Sequence, residues 1–184
     1  MNQPWGFIEA ADFVLAKESL TYGDRLSYWE VRYAIAQELN MSSKMLAAAA
    51  ALHRLEPENL QYGADYAAVL LSERLHADVA MTLTYQALLA APSDRMLQIN
   101  YAHALILQDR FPEALNLLKQ IDATLLNATH QQAYYLARSE LYYRNGQSEA
   151  AQRSAESIIE ELLLPGDREF LHLVRAGVES PTAF

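Results

Sequence analysis

The chain of 184 residues contains no cysteine, and this absence removes a large group of chemistries. A chain without thiols forms no disulfide, offers no thiolate to a metal ion and has no cysteine nucleophile. Glycine and proline are also scarce, with six of each, so few positions interrupt regular backbone structure. The sequence therefore favours long regular elements over a loop-rich or disulfide-stabilised fold.

Positive charge is the second property that the chain has little of. Fourteen lysine and arginine residues stand against 23 acidic residues, which gives a net charge of −9. The only lysines are Lys17, Lys44 and Lys119, and the basic residues do not cluster along the sequence. An acidic chain gains no counterion release on DNA or RNA, and anionic lipid repels it. We therefore expect no nucleic-acid partner.

Long apolar runs are missing as well. The longest, from Met45 to Leu52, is mostly alanine and far shorter than the roughly 20 residues that span a membrane. No basic segment precedes an apolar core at the N-terminus, so the sequence shows no secretory signal. We expect no direct membrane insertion. The compartment is left open: a cytoplasmic protein if the chain is full-length, or part of a longer membrane-anchored or exported bacterial protein.

The residues that are abundant favour helices. Hydrophobic residues make up 52% of the chain, and alanine, leucine, glutamine and glutamate are frequent. No segment alternates valine, isoleucine and threonine with polar residues, as a strand would. The composition predicts an all-α globular protein.

An internal repeat organises these helical segments. Pro57 and Pro92 end two similar alanine- and leucine-rich segments and lie 35 residues apart. Ala80, Ala114 and Ala151 recur at intervals of 34 and 37 residues, and we expect them to be buried at close helix contacts. Each such segment follows another amphipathic segment after a short break, and the breaks lie near Asn40, Leu75–His76, Gln108–Phe111 and Asn145–Gly146. A helix–turn–helix unit with a period near 34 residues resembles the tetratricopeptide repeat.

The third unit carries the resemblance most clearly. Tyr101 and Ala102 lie on its first helix, and Phe111, Pro112 and Ala114 lead into its second helix. In this stretch an aromatic residue precedes the key small residue by three positions, as in the family. Proline also fits the first turn of a helix, where its missing N–H breaks no hydrogen bond.

The resemblance implies an α-solenoid of about four antiparallel helix pairs in a single domain over residues 1–184. Four repeats are expected over 25–163. An N-terminal helix over 1–24, half of a repeat, precedes them, because apolar residues there recur at helical spacing. A capping helix over 164–177 follows, since a repeat array needs a polar outer face at its end. The tail over 178–184 is predicted to be disordered.

No pattern in the chain points to catalysis or to a bound metal. The five histidines lie in separate segments, and none is four residues from another, as a helical metal motif would require. We expect no catalytic residue, no metal and no cofactor, and we interpret the chain as a non-enzymatic interaction or scaffold module. An all-helical enzyme is the least favoured alternative, because it would require the scattered histidine and acidic residues to converge.

In tetratricopeptide arrays the first helix of each pair lines a concave groove, and the resemblance places the binding site there. The first helix of the third unit is apolar on this side as well as on the side that faces its partner helix. We therefore expect the groove to hold an apolar peptide or helix of another protein. The residues predicted to contact this partner are Tyr62, Asp65, Val69, Met96, Ile99, His103, Ile106, Leu136, Glu140 and Tyr143.

Several alternatives stay open at this point. The apolar strip is either open to a partner or packed by the chain's own termini or by a second copy. A homo-oligomer could form through the exposed groove or through the solenoid ends. A second functional interpretation is a free-standing acidic chaperone or adaptor, similar to the small tetratricopeptide chaperones of secretion systems. A clamp for acidic tails is not expected, because Asp65, Val69 and Ile99 occupy positions that are basic or amide-bearing in such clamps.

Overall fold

A computed structural model describes residues 21–178 of the chain. All regular structure in this range is helical, and no strand occurs in it. Short 3₁₀ turns at Ala123–Leu125 and Glu160–Leu162 separate the last helices. The nine α-helices of this range are α1 (Tyr22–Glu38), α2 (Ser42–Leu55), α3 (Leu60–Ser72), α4 (Ala77–Ala90), α5 (Arg95–Leu107), α6 (Phe111–Leu118), α7 (Ala128–Arg144), α8 (Ser148–Ala155) and α9 (Pro165–Arg175).

The same tight turn ends α1, α3, α5 and α7. A residue with a left-handed backbone follows each helix, namely Asn40, Arg74, Asp109 and Gly146, with φ between 52° and 71°. The amide of the next residue then donates to the carbonyl five positions earlier, at 2.8–2.9 Å. This hydrogen bond satisfies a carbonyl that the helix end would leave free. The turns lie close to the breaks predicted from the sequence.

A different signal starts α3, α5 and α7. The side-chain oxygens of Asn59, Asp94 and Asn127 accept hydrogen bonds from backbone amides in the first turns of α3, α5 and α7. Such capping satisfies amides that have no partner inside the helix. Two kinds of turn thus alternate along the chain, and each helix doubles back on the one before it.

Two layers result from this alternation. Every helix packs against the next one in the sequence, and α5 also packs against both α3 and α7. Ala80, Ala114 and Ala151 of the even-numbered helices have no exposed surface, which confirms their predicted burial. An alanine at these contacts lets two helix backbones approach closely. Helices α3, α5 and α7 therefore form an inner layer, which α1 extends through the Tyr62–Glu30 hydrogen bond, and the even-numbered helices lie outside it.

The last helix departs from this neighbour-to-neighbour order. Helix α9 packs against α7 and α8, and it also contacts α3 near the other end of the series. The α carbon of Gly166 approaches α3 so closely that an added Cβ would lie 2.4 Å from the Ser72 carbonyl oxygen. Arg168 donates to the Asn40 side chain at 3.2 Å, in the turn after α1. The C-terminal segment therefore bridges late and early helices.

The structure describes only part of the two end regions for which the sequence made predictions. The predicted N-terminal helix and the predicted disordered tail fall almost entirely outside the described residues. The predicted capping helix over 164–177 corresponds to α9, which packs across the inner layer as well as at the end of the series. Within residues 21–178, no helix combines the length and the apolar character needed to cross a membrane.

Candidate functional site

A cavity of about 510 Å³ lies on the inner side of the odd-numbered helices. Residues of α1, α3, α5 and α7 form most of its walls, Ala87 and Ala90 add the end of α4, and residues 162–164 together with Asp167 close it on the C-terminal side. Most of the lining side chains are apolar. We refer to this space as the inner cavity.

The inner cavity has a buried floor and an exposed mouth. Leu71, Ile99 and Leu136 lie on the floor and are at most 3% exposed. Leu60 and Asp94 lie at the mouth, are exposed, and stand at the N-terminal ends of α3 and α5. The cavity therefore opens beside the starts of these helices and deepens toward their interior.

Half of the residues predicted to line the concave groove contribute to this cavity. The remaining predicted positions lie in the core, beside α1 or at the closed end of the inner layer. The five predicted residues that do line the inner cavity are Asp65, Met96, Ile99, His103 and Leu136.

The predicted groove is not a continuous exposed surface. Val69 is 2% exposed and packs in a core cluster with Met45, while Ile106 is fully buried in the cluster around Ala114. Both side chains meet neighbouring elements of the inner layer, so they are not available to a partner. Tyr62 is only partly buried, and its hydroxyl donates to Glu30 of α1 at 2.6 Å.

Helix α9 covers one end of the predicted groove, the end at Tyr143, which we call its lower end. Tyr143 is 8% exposed and meets the ring of Phe170 from α9 edge-on, with centroids 5.5 Å apart. Leu163 and Leu164 turn back toward the earlier helices and line the inner cavity. Of the alternatives left open by the sequence, packing by the chain's own C-terminal segment describes the lower end of the groove. The inner cavity is the space that this packing leaves free.

A buried charge cluster ties this C-terminal cover to the inner layer. The Glu140 side chain is 2% exposed, and its Oε2 accepts hydrogen bonds from Arg74 Nη2 at 2.8 Å and from His103 Nε2 at 2.9 Å. Arg144 lies 3.3 Å from Oε1 of the same carboxylate. Arg74 also reaches Asp167 of α9 at 3.1 Å. One guanidinium thus joins α9 to α7 across the inner layer.

The two carboxylates of this cluster are affected in opposite directions. Burial alone would raise the pKa of Glu140, but Arg74, His103 and Arg144 together outweigh it and lower this pKa to about 2. Burial dominates at Asp167 and raises its pKa, although Arg74 acts against the change. Glu140 is therefore ionised at neutral pH and accepts the His103 Nε2–H. A saturated carboxylate of this kind holds structure together and is a poor proton acceptor.

One polar atom on the floor of the inner cavity has no partner. Ser72 ends α3, is 2% exposed and lines the cavity, and its hydroxyl oxygen makes no hydrogen bond with any residue that the structure describes. A buried hydroxyl without a partner costs free energy that a ligand or a water molecule recovers. The floor of the cavity therefore offers one polar contact among apolar ones.

Asp65 provides the second polar feature of the inner cavity. It lies in the second turn of α3, is partly buried, and accepts one hydrogen bond from Gln61 Nε2 at 2.9 Å. Burial raises its pKa. The neighbouring Tyr33 of α1 also lines the cavity, and its pKa is raised by burial and then by the charge of Asp65.

Sequence reasoning missed several lining residues. Gln132 precedes the predicted Leu136 by four residues, so helical spacing on α7 could have found it. Tyr33 and Gln37 come from α1, for which no groove positions had been assigned. The contribution of residues 162–164 has no local signal, because it depends on a long-range contact.

Among residues 21–178, no group of three or more histidine and acidic side chains is placed to hold a metal ion.

Comparison of the chain with protein-family models, with curated proteins and with solved structures finds no match.

Proposed function

We propose that this chain is a tetratricopeptide-type helical-repeat module that binds a short apolar segment of another protein and carries out no chemistry of its own. Two features support the repeat assignment. The left-handed turns at residues 40, 74, 109 and 146 recur at the period expected for the family. The odd-numbered helices also form an inner layer, as the first helices of such pairs do.

The inner cavity is the observation that carries the binding function. Its volume of about 510 Å³ lies within the roughly 300–1,000 Å³ that ligand sites typically enclose. Its floor is apolar, and its mouth is formed by exposed residues at helix starts. Because α9 already covers the lower end of the groove, the occupant is a short segment and not a long helix laid along all the pairs.

A free-standing acidic chaperone or adaptor would use the same cavity in the same way. The net charge of −9 suits such a role. Self-association of two copies is a competing use of the surface, and sedimentation velocity over a range of concentrations measures it directly.

A second candidate function is an acid–base enzyme, and one observation favours it. His103 and Asp167 both line the inner cavity, and the pKa of Asp167 is raised, so a titratable pair faces a space that could hold a substrate. Against this stands the saturation of Glu140, which fixes His103 through Nε2. His103→Gln separates the two functions, because a binding module keeps its peptide affinity within a few-fold whereas an enzyme loses turnover.

The binding function is tested by filling the cavity. A library of random octapeptides is selected on the wild-type protein, and the affinities of the selected peptides are measured by fluorescence anisotropy. Ala64 lies partly buried on the α3 wall and belongs to no core cluster, so Ala64→Phe should fill the cavity without disturbing the core. Gln86→Phe, at an exposed position of α4, is the matched control.

We expect Ala64→Phe to weaken the selected peptides by at least about tenfold, because the added ring occupies the space that they fill. Gln86→Phe should leave their affinities unchanged, and circular dichroism should show both variants folded. Peptides that bind the Ala64→Phe variant as tightly as wild type would exclude the inner cavity as the binding site.

A further inference from the structure

Asp65 is a carboxylate that residues 21–178 leave without a cation. It is partly buried, it lines the inner cavity, and the only hydrogen bond to its side chain within the described range comes from Gln61. No lysine, arginine or histidine of residues 21–178 forms an ion pair with it. An ionised group in a largely apolar space is destabilised unless an opposite charge accompanies it.

The rest of the lining shows the same imbalance of charge. Among the described residues, three aspartates line the inner cavity and no lysine or arginine does. Two of the three are already engaged, since Asp167 pairs with Arg74 and Asp94 caps α5 through the Leu97 amide. Asp65 is the remaining acceptor, and it lies between the exposed mouth and the buried floor.

We propose that the segment bound in the inner cavity carries a lysine or arginine side chain that pairs with Asp65, next to apolar residues that occupy the floor. This inference rests on the proposed function and adds the chemical class of the partner. The apolar stem of a basic residue suits the passage from the mouth inward, because such side chains bury their methylene groups and place the charge at a polar site. A charge-assisted hydrogen bond to the carboxylate then fixes the register of the segment.

The helix dipoles at the mouth favour a negatively charged group, whereas Asp65 favours a positively charged one. The effect of the dipoles is the smaller of the two. The N-terminal ends of α3 and α5 lie at the mouth, and each carries a partial positive charge of about half a unit. That effect is confined to the first turn, where Asn59 already accepts from the amides of Gln61 and Tyr62 and Asp94 accepts from the Leu97 amide. Asp65 stands in the second turn and bears a full charge, so it decides the sign of the preferred group.

The experiment compares peptide preferences of three proteins. The octapeptide library is selected in parallel on the wild type, on Asp65→Asn, and on Asp78→Asn. The asparagine replacement keeps the shape of the side chain and removes the charge. Asp78 is an exposed residue in the first turn of α4, outside the inner cavity, and controls for the loss of one negative charge.

We expect peptides from the wild type and from Asp78→Asn to share one enriched lysine or arginine beside apolar residues. Peptides from Asp65→Asn should keep the apolar residues and lose the basic one. A selected peptide is then compared with its analogue in which norleucine replaces the basic residue. The replacement should weaken binding about tenfold on the wild type and have no effect on Asp65→Asn, since the two changes remove the same interaction.

Three outcomes would overturn the inference, and they are distinguishable. Apolar peptides without a basic residue, still sensitive to Ala64→Phe, would refute the role of Asp65 and leave the proposed function standing. Enrichment of acidic residues or of a free carboxyl terminus would show that the helix ends set the preference. If no selected peptide responds to Ala64→Phe, the proposed function itself fails, and the pairing with Asp65 fails with it.

Discussion

Replacing Glu140 with glutamine removes the charge at the centre of the buried cluster while keeping the size of the side chain. The carboxylate contacts Arg74 at 2.8 Å, His103 at 2.9 Å and Arg144 at 3.3 Å, and it is 2% exposed. These partners lower its pKa from the ordinary 4.5 to about 2. At about 1.4 kcal/mol for each pKa unit, the ionised form contributes roughly 3 kcal/mol to folding at neutral pH. We expect Glu140→Gln to lower the free energy of unfolding by that amount.

The pH dependence gives a sharper test than the size of the effect. Because the pKa of Glu140 is depressed in the folded state, its contribution is complete above pH 4.5 and is lost as the pH falls toward 2. By pH 3 about 2 kcal/mol of the roughly 3 kcal/mol should be gone. Urea unfolding of wild type and variant at pH 7, 5, 4 and 3 measures the difference. A difference that does not change with pH, or no difference at pH 7, would refute the assignment of Glu140 as the ionised centre of the cluster.

Further predictions concern packing. Gly166→Ala should destabilise the protein by about 1–3 kcal/mol, because its Cβ would meet the carbonyl of residue 72, whereas Gly23→Ala, which meets nothing within 4 Å, should be neutral or slightly stabilising. Ala114→Leu should cost about 1–3 kcal/mol in urea unfolding, and Asn116→Leu on the exposed side of the same helix should cost under about 0.5 kcal/mol. An unchanged midpoint for Ala114→Leu would contradict the helix packing described above. Ile106→Asp should abolish the far-ultraviolet helical signal at 25 °C, since it buries a charge in the core, and a folded variant would show that this side chain is accessible. Chelator should leave the melting temperature unchanged, and a loss that zinc reverses would indicate a structural metal.

The local features of the fold could be predicted from the sequence because each has a local cause. The breaks near Asn40 and Asp109 fall where a helix ends and a polar residue adopts the left-handed backbone. The alanine positions that predicted close helix contacts are fully buried, since no larger side chain fits between the paired backbones. These signals span only a few residues, so a single sequence contains them.

The candidate site was harder to predict, because its shape depends on contacts between distant residues. The pairing of Arg74 with Asp167 joins positions 93 residues apart, and no pattern near either residue announces it. The burial of Val69 and Ile106, which were predicted to face the groove, depends on other contacts between distant residues. Val69 packs against residues of α1 and α2, and Ile106 packs against residues of α6 and α7. A helix that is apolar on two sides is packed on two sides here.

The bridge from α9 back to α3 changes how the protein is expected to unfold. A repeat array whose units contact only their neighbours loses structure from its ends, one unit at a time. Here the last helix is held by an early one, so fraying at the C-terminal end also breaks contacts near the N-terminal end. The described helices should therefore melt together as one cooperative unit. Formation of this long-range contact also closes a loop of about ninety residues, which makes folding slower than in an open array of the same length.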